Sequence, residues 1–233
     1  MNQISRAANS ALNGHRALAA GANEIGEQHV GTSVETPLRP DAFDLSEPEK
    51  MQRIAESFQD IMETLGLDME DDSLRGTPER VAKMFVREIF WGLDPRKKPR
   101  VSLFENKFGY RQMLVEKNIE VRSYCEHHFL PIYGRAHVAY IANGKVIGLS
   151  KLNRIVDYFA RRPQVQERLT MQIADELKRV LQTRDVAVYL EAKHMCVEAR
   201  GVEHRDGSTV TTEFDGKFLN ENTRADFFRS IQA

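Results

Sequence analysis

Residues 132–144 read Ile-Tyr-Gly-Arg-Ala-His-Val-Ala-Tyr-Ile-Ala-Asn-Gly, a period-two run closed by Asn143-Gly144. Alternation over that length predicts a strand, and Asn-Gly is a strong short-range hairpin signal. Upstream, Ile119, Val121 and Ser123 alternate with charged residues and predict a half-buried strand leading into Cys125. Downstream the period changes to that of helices. Leu152, Ile155, Val156 and Phe159 line a helix from Ser150 to about Arg161. Pro163 separates it from a second helix over 164–181, with Val165, Leu169, Ile173, Leu177 and Val180 inward. Strands return at 186–192 and 208–214, and a short helix is expected near 222–231. The order β-β-α-α-β-β implies an α+β fold, an antiparallel four-stranded sheet with two helices on one face. Such a sheet has two open edges, which proteins cover or pair. Pairing between copies would build a ring, so a homo-oligomer is expected.

Toward the N-terminus, Ser46 and Glu49 form a capping box with Pro48 in the first turn. Met51, Ile54, Phe58, Ile61, Met62 and Leu65 follow on one helical stripe that ends at Gly66. Thr77-Pro78 reads as an N-cap and first-turn proline for a second helix, lined by Val81, Met84, Phe85 and Ile89 and followed by Gly92. These helices are expected to form a hairpin within an N-terminal segment, 45–110, ahead of a main domain at 111–233. Residues 1–44 are polar and rich in small side chains and read as a flexible extension. Residues 1–23 carry Arg6 and Arg16 without an acid, a composition shared with transit peptides, but a disordered tail is the reading adopted. They contain no apolar stretch of the kind that directs secretion.

The 41% hydrophobic and 29% charged content is that of an ordinary globular protein. A net charge of −1 gives no general attraction to nucleic acid or anionic membrane, so phosphate binding must come from a local cluster. No apolar run approaches the roughly eighteen residues that span a bilayer. A cytoplasmic location is expected, with no nucleic-acid or membrane partner.

The chain has two cysteines, in Cys125-Glu126-His127-His128 and in His194-Met195-Cys196. Two thiolates and an imidazole at this spacing suit a zinc ion with its fourth position open, the mark of catalytic sites. Water at such a position becomes a nucleophile near neutral pH, which points to metal-dependent hydrolysis. A buried cysteine beside surface histidines explains Cys125 alone, and a structural zinc with His127 or His194 as fourth ligand remains an alternative. The remaining imidazoles suit proton transfer at neutral pH, or support of the ligands. On a strand continuing past residue 192, His194, Cys196 and Arg200 would share one face.

Ser150-Lys151-Leu152-Asn153-Arg154 opens a helix, where free N–H groups and the dipole favour anions. Lys151 and Arg154 share a face away from the apolar stripe and are read either as an anion site or as a solvated basic face. Arg80 and Arg200 are further candidate phosphate cations. Gln166-Glu167 falls in the first turn of the next helix, where a carboxylate steadies the dipole or accepts two hydrogen bonds from a guanine edge.

Together with Thr77-Pro78-Glu79-Arg80-Val81, Gly148–Arg154 and Arg162–Leu169, these motifs resemble the GTP cyclohydrolase I family over roughly residues 46–230. The resemblance implies a tunnelling fold, in which sheets of several subunits join into a barrel, and a homodecamer with sites at subunit junctions. It implies conversion of GTP and water to 7,8-dihydroneopterin triphosphate and formate, the entry step to folate and related pterins. It makes Cys125, His128 and Cys196 the zinc ligands, with zinc-activated water attacking guanine C8. His127 then protonates the ring nitrogen and His194 assists nearby proton transfers. Glu167 with Gln166 holds the guanine edge, and Lys151, Arg154, Arg200 and Arg80 grip the triphosphate. Ser150 lies near the ribose and helps its later rearrangement.

Three other functions are weighed against this. A zinc nucleobase deaminase needs a Pro-Cys-x-x-Cys partner that the chain lacks. A tunnelling-fold nitrile reductase would use a cysteine nucleophile and NADPH without zinc. A non-catalytic zinc-stabilised scaffold or regulator would tolerate loss of His127.

Overall fold

The structure, a computed structural model, describes residues 32–232. Most of the expected N-terminal extension, 1–31, lies outside the described residues. Helix α1 (Glu47–Thr64) begins with the expected capping box. The Ser46 N–H donates to the Glu49 carboxylate at 2.8 Å, and the Glu49 N–H to Ser46 Oγ at 3.4 Å. Its apolar stripe is only partly covered: Met62 is buried, whereas Ile61 and Leu65 are 51% and 73% exposed. Helix α2 (Thr77–Lys83) starts one residue earlier than expected, with Gly76 rather than Thr77 as the cap. The Thr77 hydroxyl is instead taken by Arg80, whose guanidinium donates to it at 2.9 Å. The chain continues from α2 into a π-helical turn, Met84–Ile89.

The remaining elements are β1 (Leu103–Glu105), β2 (Met113–Cys125), β3 (Pro131–Ile141), β4 (Lys145–Ile147), α3 (Leu149–Ala160), β5 (Pro163–Gln164), α4 (Gln166–Leu181), β6 (Val186–His194), α5 (Met195–Glu198), β7 (Thr209–Phe214) and α6 (Glu221–Gln232). The main sheet runs β5-β2-β3-β6-β7, antiparallel except for the parallel β5–β2 pair. The fold is therefore mixed α+β. The sheet has a fifth strand that the ββααββ expectation lacks, and β1 with β4 forms a separate two-stranded ribbon. Asn143-Gly144 does turn the chain, with Gly144 at φ 74°. It does not close a hairpin onto β3, because both sides of β3 are occupied by β2 and β6; β4 pairs with β1 instead.

Strand parity decides what each face meets. Val186, Val188 and Leu190 of β6, with Ile132, Ala136, Val138 and Tyr140 of β3, pack against Leu152, Ile155 and Val156 of α3 and Leu169, Ile173 and Leu177 of α4. Each such fully buried aliphatic side chain contributes about 1.5–3 kcal/mol. The opposite parity, Ala139, Ile141 and Ala187, packs on Phe218 and Phe227, so α6 covers part of the other face. Coverage on both faces explains the unbroken apolar run Val186–Leu190. The N-terminal segment is latched to α3 at Gly92. Its N–H donates to the Arg161 carbonyl at 3.0 Å, and its carbonyl accepts from Arg162 Nε at 2.9 Å. A Cβ there would lie 2.1 Å from the Tyr158 carbonyl oxygen, so only glycine permits the approach.

Candidate metal centre

Strand β2 ends on the buried Cys125, and a tight turn leads into β3. The Cys125 N–H donates to the Leu130 carbonyl and the Phe129 N–H to the Cys125 carbonyl, each at 2.8 Å, with Phe129 in the left-handed region at φ 54°. This curl brings His127 Nδ1 to 3.7 Å and His128 Nδ1 to 3.9 Å from Cys125 Sγ. Because β3 lies between β2 and β6, with Ile132 opposite His194, the end of β6 arrives beside that turn.

There the strand stops. The expected row of His194, Cys196 and Arg200 on one strand face is not formed, because Met195–Glu198 coils into a helical turn. That turn is what carries Cys196 to Cys125. One ligand atom each from Cys125, His128 and Cys196 lies within 4.8 Å of the others, the one such group among the described residues. Burial, and then the neighbouring Cys125, push the Cys196 thiol up. Two close thiols are costly to ionise without a cation between them, and two sulfurs with one imidazole suit a tetrahedral zinc-class ion. The residues present therefore fit a metal. His127 lies outside the three-way group, and Arg200 reaches across to within 2.7 Å of His128 Nε2.

The beginning of α4 supports both histidines. Gln166 is 2% exposed. Its amide nitrogen donates to the Leu190 and Thr209 carbonyls and to Thr211 Oγ1, and its other end lies 2.7 Å from His194 Nε2. Burial pushes His194 below the ordinary imidazole value, with the charge of Glu167 opposing it. Two residues on from Gln166, Arg168 pairs with Glu126 at 2.5 Å, and Glu126 lies 3.8 Å from His127 Nε2. Arg168 and Glu126 carry no role in the sequence reading. The available signal was an arginine placed beside Leu169 on the apolar face of its helix, a charge that needs a partner.

The other candidates do not bond to this group. Ser150, Lys151 and Arg154 occupy the first turns of α3, and Glu167 is exposed on α4. Among the described residues none of these four forms a hydrogen bond or ion pair with Cys125, His128 or Cys196. Arg80 is held within its own segment by the Ser73 carbonyl and Thr77.

The sequence profile of GTP cyclohydrolase I matches residues 54–232. The chain is 57% identical over 210 residues to GTP cyclohydrolase 1 of Flavobacterium johnsoniae, covering 90% of this chain and 94% of that protein. It is 52% identical over 200 residues to GTP cyclohydrolase 1 of Aeromonas hydrophila, covering 85% and 91%. It is 47% identical over 209 residues to GTP cyclohydrolase 1 of an Enterobacter species, covering 89% and 94%.

Proposed function

The chain belongs to the GTP cyclohydrolase I family, and on that premise we propose how its own residues carry the reaction. It is a GTP cyclohydrolase, a hydrolase of folate and pterin biosynthesis. The observation that carries the site assignment is the convergence of Cys125, His128 and Cys196, with His127 Nδ1 3.7 Å from Cys125 Sγ and His194 two residues before Cys196 in the chain. These three residues hold the metal, which we take to be zinc from the two sulfurs and one imidazole. When bound, the cation supplies the Lewis acidity that activates water for attack on guanine C8.

The rest is positioning and proton transfer. His127 gives a proton to the ring nitrogen as the imidazole ring of guanine opens, and His194 assists the accompanying transfers. Glu167 accepts from the guanine N1–H and exocyclic amine, with Gln166 beside it. Lys151, Arg154, Arg200 and Arg80 bind the triphosphate at the free N–H groups of α3, and Ser150 serves the ribose rearrangement. Opening an aromatic ring needs the nucleophile, the acid and the base held in register, which is the work of these groups.

The outer edges of β5 and β7, unpaired among the described residues, support pairing between copies. We propose a tunnelling-fold homo-oligomer, a decamer by family likeness. No described helix is long and apolar enough to cross a membrane. Thiols that serve as ligands call for a reducing compartment, which favours the cytoplasm.

The test is His127→Ala. The variant should keep its metal and stop releasing formate from GTP. Unchanged turnover would overturn the assignment of His127 as the acid.

A further inference from the structure

We propose that Gln166 is a positioning residue that fixes the tautomer of His194: Nε2 carries the proton and Nδ1 is left as the acceptor. The inference rests on the reading of His194 as a proton-transfer group and makes the two site histidines unlike.

A chain of hydrogen bonds with only one consistent direction leads to His194. Thr170 sits one turn into α4, and its hydroxyl donates to the Gln166 carbonyl at 2.9 Å. A hydroxyl has one proton to give. In the 2.6 Å contact between the two threonine hydroxyls, Thr211 is therefore the donor and Thr170 the acceptor. Thr211 Oγ1 is then left to accept, and it lies 3.1 Å from the side-chain nitrogen of Gln166. The carbonyls of Leu190 and Thr209, which only accept, lie 3.1 Å and 2.9 Å from the same atom. Three acceptors surround one end of this amide, so that end is the NH2 and the amide cannot be flipped without facing oxygen toward oxygen. The opposite end, Oε1, only accepts, and it lies 2.7 Å from His194 Nε2. His194 Nε2 must then be the donor, and in a neutral imidazole Nδ1 carries the lone pair.

The network is built into the fold. Gln166 and Thr170 are 2% exposed, and the acceptors come from β6 and β7. His194 ends β6, so the residues that set its tautomer also set the strand that carries it. In the reaction, Nδ1 takes a proton from the water that adds to the base. His127 begins as the donor and gives its proton to the ring nitrogen, which keeps the electron pair when its bond to carbon breaks. The proton held on His194 then passes back to His127 through solvent, which restores both groups. A buried, fully engaged amide also leaves Gln166 without a side-chain hydrogen bond to offer the guanine, in contrast to a base-holding role.

The test uses the zinc-loaded enzyme with 15N-labelled histidine, His194 being assigned by difference from His194→Ala. The expected spectrum shows His194 protonated at Nε2; protonation at Nδ1 overturns the proposal. Kinetics with GTP provide a second reading. Gln166→Met, similar in shape but with no acceptor, should lower kcat on the order of 10²-fold, leaving KM and metal content nearly unchanged. Gln166→Glu, protonated on the oxygen that faces the Leu190 and Thr209 carbonyls, restores an acceptor toward His194 and should recover about tenfold of that loss. A rise in KM at constant kcat, or equal losses in both variants, overturns the proposal. Should Gln166→Met fail to fold, the Glu variant and the spectrum still decide. His194→Ala separates the two levels: if it retains kcat, the proton-transfer reading fails. If it loses kcat while Gln166→Met does not, only the tautomer assignment fails.

Discussion

Replacing Glu126 by Gln perturbs the metal turn without touching a ligand, and the size of the effect follows from burial. Glu126 sits between Cys125 and His127, its N–H held by the Gln164 carbonyl at 3.0 Å and its carboxylate by Arg168 at 2.5 Å. The Arg168 side chain is 3% exposed and that of Glu126 19%. Removing one partner of a buried pair costs about 3–5 kcal/mol. The burden is uneven here. Glu126→Gln leaves a buried guanidinium facing a neutral amide and should cost about 3 kcal/mol. Arg168→Met leaves a carboxylate that reaches water and should cost about 1–2 kcal/mol. Removing both charges leaves neither exposed to that penalty, so the double variant should be more stable than the sum of the singles by at least about 1 kcal/mol. The turn that carries two ligands loosens in each single variant, lowering metal affinity about 10–100-fold. Urea unfolding of the zinc-loaded proteins and competition with a chelator measure both. Additive losses, or a costlier Arg168→Met, would refute the reasoning.

Other consequences are as direct. Gly92→Ala places a Cβ against the Tyr158 carbonyl oxygen and should destabilise by about 2–4 kcal/mol, read as a lower urea midpoint. His137 is 8% exposed, and burial holds its pKa below the ordinary imidazole value of 6.5, with Lys117 and Arg135 adding to it and Glu191 opposing. The unfolded chain therefore takes up the proton first as pH falls below 6.5, so stability is full above that value and declines beneath it. His137→Phe should flatten the slope of urea midpoint against pH below that point. Glu167→Gln should lower kcat/KM for GTP on the order of 10–100-fold, and leave inosine triphosphate, which lacks the exocyclic amine, much less affected.

What the sequence revealed was what is local or periodic. The capping box at Ser46 and Glu49 needs only neighbouring residues, and the two inward stripes of α3 and α4 repeat often enough to read. The thiol–imidazole set was legible because cysteine is so scarce here that its neighbours stand out. Non-local pairing was hidden. Nothing in Asn143-Gly144 tells that β3 already has two partners and that β4 must find β1. A two-residue strand such as β5 has no period, yet Gln164 pairs with Cys125 and anchors the metal turn. Extending strand parity through Cys196 failed because the chain coils directly after His194. Arg168 was overlooked because it lies within a helix read for its apolar face, and its partner is 42 residues away. Gln166 was read for the base rather than for His194 because the carbonyls that engage it belong to strands later in the chain.

The central claim is that Cys125, His128 and Cys196 hold the metal on which GTP hydrolysis depends. The most direct measurement follows zinc content and formate release together through chelation and re-addition of metal, in the native chain and in Cys196→Ala. The native protein should carry about one zinc per chain, lose turnover as zinc leaves, and regain it as zinc returns, while Cys196→Ala neither holds zinc nor releases formate. Full turnover by metal-free protein, or by Cys196→Ala, would contradict the account.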